Sequence, residues 1–453
     1  MSTTTLPHRP RFTPARIGSL IGAAAVGVVA FVAIGRFADV GHRPTPAARP
    51  ASATAAVTLT AAITSYEQRT TSHPQDASAW TMLGSLYVRQ AAASGDPTFY
   101  GLAATALDHA ATLAPDAPAT LAARGGLALA IHDFATADQL AAGVIAAAPY
   151  DAEAYSVGVD AAVELGHYDV AEARLQRLLD LKPNSSALSR TSYLRELNGD
   201  FAGALTTMQA AEQAAIAEPA SRAVLAGFVG DLQLASGDTD AASASYARAL
   251  AAAPHLLNAE LGQARVAIAE GRLDAAATTL HELVARSPQP AVATLLSDLD
   301  TLTGDTTGAA EAIDLVRAND RLLQAAGVTI DLESAIFEAD RGDPATALTY
   351  AQAAYAARHT VFTADAMGWA LTRAGRAAEA LPYVDEALAL GTPTASLHVH
   401  AAAAAAATGD AARARSELTT AFAQSPWFAL PLRPVATELA DSLGVVVPTA
   451  WRP

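Results

Sequence analysis

Five prolines set the scale on which this chain repeats. Pro115, Pro149 and Pro183 stand 34 residues apart, and so do Pro254 and Pro288. A fixed period of this length means that one small unit is stacked on copies of itself, so the chain extends by neighbour contacts rather than around one central core. The fullest unit opens with Trp80, Leu83, Gly84 and Tyr87 in the order W-x2-L-G-x2-Y, and weaker versions follow almost to the end.

One copy shows the physics of the unit. Between Ala152 and Pro183, Tyr155 and Gly158 lie on a first helix, Gly166 breaks it, and Tyr168, Ala171, Leu175 and Leu178 give the apolar face of a second. Pro183 stops that second helix because proline has no amide hydrogen and clashes with the preceding turn. The small residue at Ala171 recurs as Ala137, Ala204, Ala242, Ala276, Ala347, Ala380 and Ala414, five residues after a glycine or its substitute. A methyl group there lets two helices approach closely. The residue four later recurs as Tyr246, Leu280, Val384 and Leu418. The turn reads Gly199-Asp200, Gly237-Asp238, Gly271-Arg272, Gly304-Asp305, Gly342-Asp343, Gly375-Arg376 and Gly409-Asp410. Glycine at that point supplies the left-handed backbone that ends a helix.

Together these positions resemble the tetratricopeptide family over residues 62–428. The resemblance implies an all-α solenoid, a right-handed superhelix of helix-turn-helix repeats, occupying residues 58–428 as about ten repeats with the first one partial. The runs Gly95-Asp96-Pro97-Thr98-Phe99-Tyr100, Ser192-Tyr193-Leu194-Arg195-Glu196-Leu197 and Ala364-Asp365-Ala366-Met367-Gly368-Trp369 resemble a group of bacterial tetratricopeptide proteins, membrane-anchored or exported, with no assigned reaction or partner. In the family the usual binding surface is the concave face lined by first helices. Carried over repeat by repeat, its positions fall on Glu153, Asp160, Glu164, Tyr193, Asp231, Arg265, Asp298, Asp365, Trp369 and Arg373. Asp160 and Glu164 are expected on a solvated face, and Trp369 either anchors a partner or packs against the next repeat. Ala276 is expected against its partner helix and Ala401 on an exposed face.

The N-terminus has a different character. Residues 1–16 form a short head carrying Arg9, Arg11 and Arg16, and the 18 residues from Ile17 to Ile34 hold no charge. A stretch of about 17 or more apolar residues can span a bilayer, so residues 17–40 are read as a transmembrane or signal-anchor segment, with a cleaved secretory signal as the alternative. The arginine balance around it places the N-terminus inside and the solenoid outside. Residues 41–57, with Pro44, Pro46 and Pro50, form a linker, and residues 429–453 a C-terminal cap and tail. An amphipathic half-repeat before the first full unit and a short helix after Pro434 would close the two ends of the stack.

Charge and reactive groups narrow the function. The chain carries 29 basic and 45 acidic residues, and residues 1–50 take six of the former and one of the latter. The solenoid is therefore strongly acidic, which argues against nucleic acid and for a protein or peptide partner of basic character. With no cysteine there is no disulfide or thiolate site. His281-Glu282 lacks the second histidine of a zinc-protease motif, since Ala285 stands in its place. His398 and His400, two apart on one helix, point to different sides. Lys182 is the only lysine and precedes Pro183, outside any phosphate loop. No catalytic, metal or cofactor residues are assigned. The reading is a non-enzymatic membrane-anchored scaffold of an envelope assembly, with a cytoplasm-facing adaptor or a non-catalytic subunit of an enzyme complex as alternatives.

Overall fold

The computed structural model describes residues 59–452, and the segments assigned above to residues 1–16, 17–40 and 41–57 lie outside them. Among the described residues there are 22 α-helices and no strand. The first half of the stack runs α1 (Leu59–Ser72), α2 (Ala77–Ser94), α3 (Thr98–Leu113), α4 (Pro118–Ala130), α5 (Phe134–Ala147), α6 (Ala152–Glu164), α7 (Tyr168–Leu181), α8 (Ser185–Leu197), α9 (Phe201–Ala214), α10 (Pro219–Ala235) and α11 (Thr239–Ala252). The second half continues with α12 (Leu257–Ala269), α13 (Leu273–Arg286), α14 (Pro290–Thr303), α15 (Thr306–Ala325), α16 (Asp331–Arg341), α17 (Pro344–Ala357), α18 (Val361–Arg373), α19 (Ala377–Ala387), α20 (Ala395–Ala407), α21 (Ala411–Phe422) and α22 (Arg433–Leu443). None of them is long and apolar enough to cross a membrane.

Even-numbered helices are the first helices of the repeats, and each pairs with the odd-numbered helix that follows. The recurring alanine makes that pairing possible: Ala137, Ala171, Ala204, Ala242, Ala276, Ala347, Ala380 and Ala414 are all 0% exposed. Tyr246, Leu280 and Leu418, four positions later, are equally buried. In the α10–α13 region the ring of Tyr246 fills the space over Gly230 and Gly262, where an added methyl would overlap it.

The turns follow from two residues. Gly166 adopts φ +79°, its N–H reaches Val163 O at 3.0 Å, and His167 N–H reaches Ala162 O at 2.8 Å, which satisfies carbonyls that α6 leaves open. Aspartate then starts the next helix: Asp200, Asp238, Asp305, Asp343 and Asp410 each accept a backbone N–H three residues on. A cap of this kind is worth about 1 kcal/mol. His132 takes the glycine's place before α5, with φ +62°. Gly342 departs from the pattern, with φ −123°. There the missing side chain makes room for the Glu338 carboxylate, which accepts the Asp343 N–H at 3.1 Å.

Successive first helices touch one another more closely than successive second helices do, so they line the inside of the curve. They are covered on both flanks as a result, and α6 is buried at every residue from Ala154 to Glu164. Ala401, placed on an exposed face by its sequence context, is 0% exposed for the same reason: α20 is a first helix with neighbours on both sides. At the C-terminus two 3-10 turns, Pro426–Phe428 and Leu430–Leu432, precede α22, and Trp451 folds back to donate its indole N–H to Gln424 O at 3.2 Å.

Packing this tight sets a test within one helix. Ala276→Leu overfills the α12–α13 contact and should cost about 1–3 kcal/mol, whereas the exposed neighbour Ala275→Glu should change stability by less than about 0.5 kcal/mol. Chemical denaturation of the two variants checks the register, which equal midpoints would contradict.

Candidate functional site

The first helices meet a second time, end to end. The loop before α16 lies on the C-terminal end of α4, where Thr329 N–H donates to Ile131 O at 3.1 Å and Thr329 O lies 2.6 Å from His132 Nδ1. One repeat further, the Arg358 guanidinium donates to the Glu164 carboxylate at 2.6 Å, and Val361 N–H donates to the Tyr168 hydroxyl at 3.1 Å. One further still, Thr392 Oγ1 donates to Leu197 O at 2.7 Å. The partners are 193 to 198 residues apart in the chain. Two successive turns of the superhelix are therefore in contact, with the C-termini of α4, α6 and α8 facing the N-termini of α16, α18 and α20. That arrangement brings carbonyl ends against amide ends, which the helix dipoles favour. At Gly166 the approach is so close that a methyl group would overlap the carbonyl of His359.

The ten candidate residues are placed by this contact at Glu164 and Tyr193, and elsewhere by packing between neighbouring repeats. Asp160 and Glu164 are 1% and 4% exposed, not on a solvated face. Asp160 accepts two hydrogen bonds from Arg190 at 2.9 and 2.6 Å, and Arg190 is itself buried. Glu164 is covered by the next superhelical turn through Arg358, whose guanidinium also lies 4.6 Å over the Phe134 ring. Burial pushes the Glu164 carboxyl up to about 7, against the pull of Arg358. Tyr193 is half-buried and lines a small cavity with Glu164, Tyr168, Thr360 and Phe362. Glu153 is half-buried at the start of α6.

The C-terminal candidates form one connected network. Asp298 on α14 accepts both N–H groups of Arg341 on α16, at 2.7 and 2.9 Å. Asp340 beside it accepts the Trp369 indole N–H at 2.9 Å. Trp369, only 2% exposed, stacks on His400 of α20 with 4.3 Å between centroids and 11° between planes. His400 Nδ1 lies 2.9 Å from Asp365 Oδ1. Arg373 is exposed, sits 5.5 Å from the Trp369 ring centroid and donates to Ala339 O at 2.9 Å. Trp369 thus packs against the next repeat. Burial raises the Asp340 carboxyl above its usual range, with Arg341 opposing.

Asp231 and Arg265 form a third group. Asp231 is 8% exposed and accepts the Tyr246 hydroxyl at 2.7 Å, and burial lifts its carboxyl to about 6. Arg265 lies 4.9 Å over the ring of Phe428, from the segment before α22. Among the described residues no group of three or more histidines, aspartates and glutamates converges as a metal site. Arg190, Arg341, Arg358 and His400, the partners that occupy these acids, carry no periodic signal in the sequence, since each arrives from a neighbouring repeat or superhelical turn.

Residues 158–219 and 233–299 match family models described as tetratricopeptide repeat. Those two stretches of the chain are tetratricopeptide repeats. No curated protein matches it. The solved structures it is similar to include a thermophilic tetratricopeptide protein of Thermus thermophilus, at 22% identity over 38% of this chain and 92% of that one, with a TM-score of 0.35. Another is human IFIT1, at 14% identity over 73% of this chain and 76% of that one, with a TM-score of 0.44. A third is yeast Tom70, at 13% identity over 81% and 95%, with a TM-score of 0.34.

Burial of the candidate acids turns them into probes of stability. Asp160→Ser leaves the Arg190 charge buried without its carboxylate and should cost about 3–5 kcal/mol. The Glu164 carboxyl keeps its proton to about 7 in the folded chain, against an ordinary value of 4.5 when unfolded. Between those values the native state binds the extra proton, so its contribution to stability is complete at acid pH and is lost as pH rises through about 7. Glu164→Gln should therefore flatten the decline in stability between about pH 5 and pH 7, measured by urea denaturation at each pH. An unchanged slope would remove Glu164 as its source.

Proposed function

We propose that this protein is a non-enzymatic scaffold that binds protein or peptide partners, held to the cytoplasmic membrane by residues 17–34 and displaying its solenoid outside as part of an envelope assembly. The observation that carries the binding role is the presence of tetratricopeptide repeats over residues 158–219 and 233–299, stacked so that their first helices form one continuous inner wall. A repeat unit of this kind cannot bury its own apolar faces alone, and stacking many of them yields an extended curved surface suited to recognition. The anchoring role rests on the uncharged stretch from Ile17 to Ile34.

A basic partner fits the excess of 44 acidic over 23 basic residues beyond position 50. Asp160, Glu164, Asp231, Asp298 and Asp365 are engaged inside the fold, so the charge that faces a partner is that of other acids, such as the exposed Asp240, Asp274 and Glu282 on second helices. Attraction of this long-range kind speeds encounter and is screened over about 8 Å at physiological salt. The alternative of a cytoplasm-facing adaptor uses the same surface and differs in topology alone.

Affinity capture from detergent-solubilised membranes, followed by binding of the captured partner at two salt concentrations, tests the scaffold. The expected outcome is a protein partner whose association weakens as salt rises, together with a full chain that resists carbonate extraction. A full chain released by carbonate would remove the anchor, and salt-independent binding would remove the acidic surface.

A further inference from the structure

The inner wall is not empty. The segment Pro426–Phe428 touches α10 and α12, and Leu430–Leu432 touches α16. These are first helices of repeats belonging to both superhelical turns, so the segment lies inside the superhelix rather than over its end. Its side chains do what a bound peptide would do. Phe428 packs against the cluster that contains Leu234, Tyr246 and Val266 and lies under the Arg265 guanidinium, 4.9 Å from its ring centroid. Leu430 joins the cluster of Leu261 and Leu295 at 8% exposure. Trp427 bridges both groups and carries Arg433 5.6 Å from its ring centroid.

The backbone of the segment is organised differently. Its own hydrogen bonds close within it, Ala429 N–H to Pro426 O at 2.9 Å and Leu432 N–H to Ala429 O at 3.0 Å. Pro426 and Pro431 have no N–H to give. The attachment to the inner wall is thus made by side chains that another chain of similar chemistry can supply.

We propose that the inside of the superhelix at α10, α12 and α16 is a docking groove for a proline-flanked segment bearing adjacent aromatic residues, and that residues 426–432 occupy it as an intramolecular competitor. This rests on the reading of the protein as a partner-binding scaffold and names the chemistry and the regulation of that binding. A partner enters by displacing the resident segment, whose local concentration is that of a tethered ligand, in the millimolar range. The apparent affinity for a free peptide is reduced by the fraction of molecules in which the groove stands open.

The test uses the full chain and a fluorescein-labelled synthetic peptide with the sequence of residues 425–432. Replacing Trp427 and Phe428 together by serine removes both aromatic side chains from the groove and weakens the hold of the resident segment, and the doubly substituted protein should bind the peptide at least about tenfold more tightly than the unaltered chain. A control peptide with serine at both aromatic positions should not bind. A helical, cooperatively melting double variant without this gain overturns the proposal. If the double variant does not fold, hydrogen exchange on the unaltered protein decides instead. Amides of Ala429 and Leu432 that exchange by local opening, faster than those of α18, support displacement; exchange only on global unfolding overturns it. A concentration-dependent dimer that the double substitution abolishes would place a second copy's segment in the groove and overturn the intramolecular form. A captured partner that binds the unaltered protein and the double variant equally keeps the scaffold reading and removes the competitor.

Discussion

The end-to-end contact between first helices nearly two hundred residues apart organises everything else in this protein. A solenoid of helix pairs needs only neighbour contacts to exist, and an open one would leave the ends of its inner helices to water. Here the carbonyl ends of α4, α6 and α8 are met by the amide ends of α16, α18 and α20. Hydrogen-bonding groups that helix termini leave open thus find partners on the next turn. The contact requires a backbone position without a side chain at Gly166, where His359 approaches. It also requires that the repeats between the two turns keep their curvature, so a local change in the middle of the stack is felt at the seam.

The seam and the contacts between neighbouring repeats together convert surface chemistry into interior chemistry. Glu164 would stand at an open helix end in a loose superhelix, and in this one it is buried beneath Arg358 with its carboxyl pushed up to about 7. Asp160 and Arg190 are 1% exposed each, a pair that stabilises little beyond a well-packed apolar one but is costly to break. The Asp298–Arg341 pair and the Asp340–Trp369–His400–Asp365 chain link four first helices in the same way. These networks hold neighbouring repeats at one relative angle, and that angle sets the width of the interior in which residues 426–432 lie.

The repeat itself was legible in the residues alone. The alanine that recurs five after the turn glycine marks the closest approach within each hairpin, and all eight copies are fully buried. The Gly-Asp turn announces a left-handed helix end followed by a capping aspartate, which the backbone of Gly199-Asp200 and Gly237-Asp238 adopts. These features are local: each is decided within one or two helices, by a methyl group, a missing Cβ or a carboxylate three residues from an amide.

What the residues could not announce is set by the relation between repeats far apart. Nothing in the local pattern distinguishes Ala401 on a doubly covered first helix from an alanine facing water, or Glu164 under Arg358 from a solvated glutamate. Whether an inner position is groove, core or seam depends on the superhelical pitch, and pitch is the sum of small rotations over many repeats. A few degrees per repeat decide whether α18 rests on α6 or clears it. The sequence by itself determined the unit, its helices and its turns, because those depend on contacts within about 34 residues. The tertiary structure decided that the turns of the superhelix touch, that Glu164 is buried beneath Arg358, and that the chain's own Trp427 and Phe428 lie within it, because those depend on contacts that only accumulated curvature brings together.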